Sequence, residues 1–235
     1  MYTFLSHVRY SECDEHGLLS LEGLIDYLQD CSTFQSEHLG IGIDHMKKNH
    51  IAWFISAWQI WIDRLPRFTE SISVSTWSTG VKRTSASRNF TIADAEGDSC
   101  VRADSLWFVY DTEAHRPIRI PDSEHVYDEG DAPLDLPPTQ RKLPVEGPYR
   151  EGSPIVVTEQ HLDTNGHVNN AQYIRMAASA LDVPVDVRVL RVQYKLMALL
   201  GDTIVPRLHQ TQDGVTVDLA SPDGTTYAVV SLASK

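Results

Sequence analysis

Apolar positions along the chain fall into one order twice. Leu21, Leu24, Ile25 and Leu28 repeat at helical spacing, with Ser20 placed as an N-cap. Ile174, Ala177, Ala178 and Leu181 repeat the stripe further on, and Pro184 stops that helix. Four strand-like runs follow each helix. After the first they are Ala52–Asp63, Ser71–Trp77, Ala86–Ala93 and Val101–Tyr110, with a turn at 95–98. After the second they are Val187–Lys195, Thr203–Thr211, Val215–Leu219 and Thr226–Leu232, with turns at Asp213-Gly214 and 221–224. A helix followed by four antiparallel strands lets the sheet wrap the helix and bury its apolar stripe.

The duplication extends to single positions. Val8 to Ile25 aligns with Val157 to Ile174 at a constant offset of 149, placing Asp14 on Asp163, Gly17 on Gly166 and Ile25 on Ile174. Three units result: residues 1–120, a proline-rich acidic linker over 121–150, and residues 151–235. Six of the twelve prolines fall within 121–148, so this stretch is expected to form neither helix nor central strand. Trp53, Phe54, Ile55, Trp58 and Trp61 make one strand apolar on both faces, which predicts a central strand covered on both sides.

Composition narrows the class. At 235 residues the chain has ample material for a core, and 42% hydrophobic with 22% charged residues is ordinary for a globular protein. No apolar run approaches the roughly 18 residues of a membrane span, and the N-terminus lacks the pattern of a leader, so a cytoplasmic enzyme is expected. A formal charge of −12 disfavours nucleic acid as a partner. Cys13, Cys31 and Cys100 are an odd, widely spaced set that suits neither a disulfide framework nor a metal site. Lys82-Arg83, Arg88, Arg102, Arg116 with Arg119, and Arg141-Lys142 are basic positions for meeting an acidic partner.

The chemistry concentrates in Asp163-Thr164-Asn165-Gly166-His167-Val168-Asn169-Asn170, just before the second helix. Alternation in an extended segment is expected to point the Asp163, Asn165 and His167 side chains to one side. The backbone N–H groups around Val168 to Asn170 are candidate oxyanion donors. Carboxylate, amide and imidazole beside such donors suit acyl transfer. The same residue types also serve turns: Asp163 and Asn165 as turn formers, Asn169 or Asn170 as the helix cap. A turn has no need of the His167 imidazole. The first-half copy carries Leu18 at the His167 position, so one active site per chain is expected.

At this point the chain resembles the acyl-acyl-carrier-protein (acyl-ACP) thioesterases of plants and bacteria. The resemblance runs through Leu28-Gln29-Asp30, Ala52-Trp53 to Gln59, Asp63-Arg64-Leu65-Pro66, Thr76-Trp77, Arg102-Ala103 to Trp107, and Arg116 to Pro121. In the second half it covers Leu162 to Asn170 and Tyr173-Ile174. It implies an α+β tandem double hot-dog, each unit a long helix wrapped by an antiparallel sheet. It also implies hydrolysis of fatty acyl-ACP, with Asp163, Asn165 and His167 as the catalytic set. Asn169, Asn170, Leu24, Leu28 and Trp53 are the substrate-binding candidates. No metal or cofactor is implied, since the phosphopantetheine arm belongs to the carrier. Internal pairing makes a monomer or a homodimer possible. Plant members carry a Glu-Cys pair after the second helix, where this chain has Met197-Ala198, so no cysteine nucleophile is expected.

Three other functions share these features. An acyl-CoA thioesterase uses the same chemistry with another carrier. A hot-dog enoyl hydratase resembles D-x-N-P-x-H, one residue longer than Asp163 to His167 and with a proline. A noncatalytic acyl-binding module would have no use for the polar trio.

Overall fold

The computed structural model describes residues 1–127, 131–183 and 185–234. The first half contains β1 (Tyr2–His7), α1 (Leu21–His38), α2 (Ile43–Lys48), β2 (Ile51–Ile62), β3 (Ser71–Val81), β4 (Ala86–Ala93), β5 (Ser99–Asp111) and β6 (Arg116–Ile118). The second contains β7 (Arg150–Glu151), β8 (Ile155–Val156), α3 (Asn170–Ser179), β9 (Val189–Tyr194), β10 (Thr203–Gln210), β11 (Gly214–Ala220) and β12 (Thr226–Ala233). All eight predicted strands are present. The short β1, β6, β7 and β8 and the helix α2 are additions that lie outside the periodic runs.

One continuous antiparallel sheet runs in the order β1-β3-β4-β5-β2-β9-β12-β11-β10-β7. Strands β2 and β9 join the two halves, with Trp58 opposite Val192 and Ile60 opposite Leu190. This is the α+β tandem hot-dog arrangement that the resemblance implies. The helices lie together and antiparallel, since Asn170 at the start of α3 meets Gln29, while Arg175 lies near Glu22 at the start of α1.

Helix α1 forms where the stripe predicts it. The Ser20 hydroxyl accepts from the Gly23 N–H at 3.0 Å, and Leu24, Ile25 and Leu28 are fully buried. Each such side chain contributes on the order of 1.5–3 kcal/mol by leaving water. Helix α3 is shorter than its stripe, since it ends at Ser179 and leaves Leu181 outside. The predicted stop at Pro184 lies outside the described residues.

The proline-rich stretch covers the sheet. Trp77, Asn89, Gln59, Asp104 and Gln193 hold the backbone of residues 132–143 through their side chains. Gln59 Nε2 donates to the Pro137 carbonyl at 2.9 Å, and the Leu134 and Leu143 N–H groups donate to Asn89 Oδ1 and Gln193 Oε1 at 2.9 and 3.0 Å. Side-chain partners are needed because proline has no N–H and cannot enter a ladder. This strap, with α1 and α3 on the opposite face, accounts for a β2 buried on both sides. One expectation for this stretch fails. Residues Asp122–Tyr127 form a 3-10 helix, because the segment between Pro121 and Pro133 is free of proline and a single turn needs only i to i+3 bonds.

Candidate active site

The Asp163 loop is a tight turn and not an extended segment. Leu162 and Val168 form a β-bridge, and between them Asp163 N–H donates to the His167 carbonyl at 2.8 Å. Asp163 Oδ1 accepts from the Asn165 and His167 N–H groups at 2.8 and 3.2 Å. Gly166 closes the turn with φ +76°, a left-handed value that glycine adopts without a Cβ penalty. A turn, not strand alternation, therefore brings the three polar side chains onto one cleft.

The first-half copy is folded by the same bonds. Cys13 bridges Leu19, Asp14 Oδ1 accepts from the His16 and Leu18 N–H groups at 2.9 Å each, and Gly17 has φ +72°. Every partner keeps the offset of 149. Asp163 thus has a turn-forming role wherever its chemistry lies, and the copies differ in what hangs on the turn. His167 and Asn165 stand where the first copy has Leu18 and His16.

The loop is fastened on both flanks. Val168 N–H donates to the Ala198 carbonyl at 3.0 Å, and His167 bridges Leu199. Asn169 N–H donates to the His161 carbonyl at 2.9 Å. These bonds correct the oxyanion expectation for Val168 and Asn169, whose N–H groups are already engaged. The Asn170 N–H, in the first turn of α3, has no acceptor among the described residues. Asn169 is the helix cap, its Oδ1 accepting from Ala171 N–H at 2.8 Å. Asn170 instead turns its amide across the interface, donating to Gln29 Oε1 at 2.7 Å, and its carbonyl accepts from the Tyr194 hydroxyl at 3.1 Å. Burial drives the Tyr194 phenol well above its ordinary pKa and pushes Tyr173 up to about 12, so both keep their protons at neutral pH.

A cleft of about 1140 Å³ runs from this loop between α1 and the sheet. Asp163, Asn165, His167, Asn169 and Asn170 line it, as does Trp53. Leu24 and Leu28 do not: both are fully buried in the core, because the sheet wraps the apolar stripe of α1. The α1 face on the cleft carries Gln29, Asp30, Ser32, Thr33 and Ser36. Sequence reasoning missed Gln29 and Tyr194 as supports of Asn170, and Trp107 as a cleft wall beside Trp53. For Gln29 the signal was a polar stripe on a helix otherwise assigned to the core; Tyr194 and Trp107 lie on strands and had none. Arg88, grouped above with surface cations, is buried at 8% exposure and belongs to the cleft wall.

No thiol serves this cleft among its lining residues. Burial raises the Cys31 thiol to about 12 and Cys100 to about 11, the opposite of what a nucleophile needs. Glu70, Asp94 and Cys100 converge elsewhere, but Arg64 lies 2.6 Å from Glu70 and 2.7 Å from Asp94 and takes up that negative charge.

The model of the acyl-ACP thioesterase N-terminal domain matches residues 2–127, more than half of the chain. The chain belongs to the acyl-ACP thioesterase family. Among curated relatives, an acyl-[acyl-carrier-protein] hydrolase of Cuphea viscosissima is 26% identical over 228 residues, 92% of this chain and 53% of the relative. The chain spans about half the length of the first curated relatives it matches. The family's fold extends over the whole chain. The structure of an acyl-ACP thioesterase from Bacteroides thetaiotaomicron has a TM-score of 0.85 at 21% identity, covering 98% of this chain and 96% of that one. The 12:0-ACP thioesterase from Umbellularia californica has a TM-score of 0.81 at 16% identity, covering 97% and 95%. No helix among the described residues is long and apolar enough to cross a membrane.

Proposed function

We propose that the chain hydrolyses thioesters of fatty acids with acyl carrier protein, releasing free acid and holo-carrier. The observation that carries this reading is one cleft whose mouth holds Asp163, Asn165 and His167 and whose walls include Trp53 and Trp107. Two backbone N–H groups already bind Asp163 Oδ1, which leaves Oδ2 to take a proton from an attacking water. The water oxygen adds to the thioester carbon, and the carbonyl oxygen gains the negative charge. The Asn170 N–H, without an acceptor among the described residues, is the candidate donor to stabilise it. Collapse of the adduct breaks the C–S bond. The proton held by Asp163 passes to the leaving thiolate, relayed through His167 or solvent, which restores Asp163 for the next turn. A pantetheine thiol, with a pKa of about 8.5 by analogy with cysteine, leaves readily. Asn165 holds the water or the substrate carbonyl with its amide. The division of the chain into a pocket-forming half, a strap and a catalytic half follows the same reading.

The test offers matched acyl-ACP and acyl-CoA series and records thiol release, with an enoyl thioester alongside to detect hydration. Release from acyl-ACP with little from CoA is expected. Hydration without release overturns the reading, and equal release from CoA removes the carrier from it.

A further inference from the structure

Resting on that reading, we propose that the acyl group this cleft accepts carries a hydroxyl on its chain. The part of the cleft between α1 and the sheet is polar for a hydrocarbon. Ser32, Thr33 and Ser36 face it from α1, with Ser78 and Arg88 from the sheet and Tyr127 beside them. Arg88 is the decisive residue. It is 8% exposed, its guanidinium stacks 4.8 Å over the Tyr127 ring, and it donates to Gln35 Oε1 and, at 3.2 Å, to Thr76 Oγ1. Both acceptors are neutral, and no carboxylate lies within ion-pairing distance among the described residues. Burial pulls its pKa down only to about 10, so it stays charged at neutral pH. Both bonds leave from Nη1, so Nε and Nη2 of this cleft-lining guanidinium have no acceptor among the described residues.

The hydroxyls opposite have the complementary need. Ser32 and Thr33 donate to the Gln29 carbonyl at 2.8 and 3.1 Å, while Ser36 donates to the Ser32 carbonyl at 2.9 Å and pairs with the Tyr127 hydroxyl at 2.7 Å. Their protons are committed to the helix backbone, and what they offer is lone pairs, one of which Ser36 already gives to Tyr127. A methylene chain answers neither the cation nor these acceptors. A carboxylate or a ketone accepts from Arg88 but has no proton for the serines. A hydroxyl accepts from Arg88 and donates to a serine, satisfying both.

The test is a binding titration of the full chain, read by tryptophan fluorescence because Trp53 and Trp107 line the cleft. Probes are fatty acids of one length: unsubstituted, hydroxylated at successive carbons, and the matching oxo acids. One hydroxyl position is expected to bind about tenfold or more tighter than the unsubstituted acid. Arg88→Met and the milder Ser36→Ala should each erase that preference, and the second covers the case in which the first does not fold. An unsubstituted acid that matches or beats every hydroxy acid overturns the inference, as does a preference that survives Ser36→Ala and any folded Arg88→Met. The corresponding ACP thioesters separate the two readings. Hydrolysis of plain acyl chains without hydroxyl preference leaves the thioesterase standing and removes the hydroxyl. Tight hydroxy-acid binding without hydrolysis of any thioester does the reverse.

Discussion

In the proposed mechanism Asp163 does two jobs on one carboxylate, and a single atom exchange separates them. Oδ1 holds the turn through the Asn165 and His167 N–H groups, while Oδ2 has only the Asn165 amide at 3.5 Å. Asp163→Asn keeps an oxygen for both N–H groups and removes the charge and the basicity. Asp163→Ala removes everything. Losing two charge-assisted bonds on a part-exposed turn costs about 1–2 kcal/mol, a fall of roughly 2–8 °C in Tm for a chain of this size. Asp14→Ala calibrates that figure, because Asp14 makes the same two bonds at 2.9 Å in the other half. The expected pattern is therefore asymmetric. Asp14→Ala and Asp163→Ala lose similar stability, Asp163→Asn loses little, and both Asp163 variants lose on the order of 10²–10⁴ in turnover. Thermal denaturation supplies the first comparison, and thiol release from acyl-ACP the second. Wild-type turnover in Asp163→Asn would show the carboxylate to be a turn former only, and the proposed mechanism would lose its base.

Three further outcomes are expected. Asn169→Ala removes the cap of a ten-residue helix and should cost about 1 kcal/mol in urea denaturation, with no change if the cap is idle. Glu124→Ala strips a fully buried carboxylate from Trp53 Nε1 at 2.8 Å and His45 Nε2 at 2.9 Å, and should cost on the order of 3 kcal/mol; a loss below about 1 kcal/mol would mean the site relaxes around the gap. Burial, reinforced by Glu22, Asp30 and Glu12, lifts the Asp26 carboxyl from 3.8 to about 6. The folded state holds this proton more tightly than the unfolded one, so stability falls as pH rises from about 4 to 6. Asp26→Asn should accordingly raise Tm at pH 7.5 and leave it unchanged near pH 4, whereas an equal shift at both would dissociate the effect from charge.

Periodicity alone exposes most of the fold. Strands β4 and β5 and the cap of α1 sit where alternation and Ser20 put them, because each is decided by residues a few positions apart. The β2 aromatic run also declares itself, since only a strand covered on both faces tolerates apolar residues on each. Contacts across distant positions are different. The Asn170 to Gln29 bond joins residues 141 apart, and neither amide shows by its neighbours that it has a partner. Leu24 and Leu28 mislead for a definite reason. An apolar stripe on a wrapped helix goes to the core, and the cleft falls to the helix face that carries Gln29, Ser32 and Ser36.

Tandem duplication explains how such a polar face is tolerated. Two copies of one turn, held by Asp14 and Asp163, give the fold the same local geometry at both ends of the helix pair. Stability needs the turn in both places, while the proposed chemistry needs its side chains in one. The first copy therefore keeps the carboxylate and glycine and places Leu18 where the second has His167. The helices divide the labour in the same way. Helix α1, with 18 residues, lends its far turns to a cleft whose mouth is built on the second half, while α3 has 10 residues and presents its first turn to that mouth. A symmetric pair of single-unit chains must use one sequence for both tasks. Joined in one chain, the halves are released from that identity, and the α1 hydroxyls and Arg88 can be shaped for the proposed acyl group without altering the turn proposed to act on it.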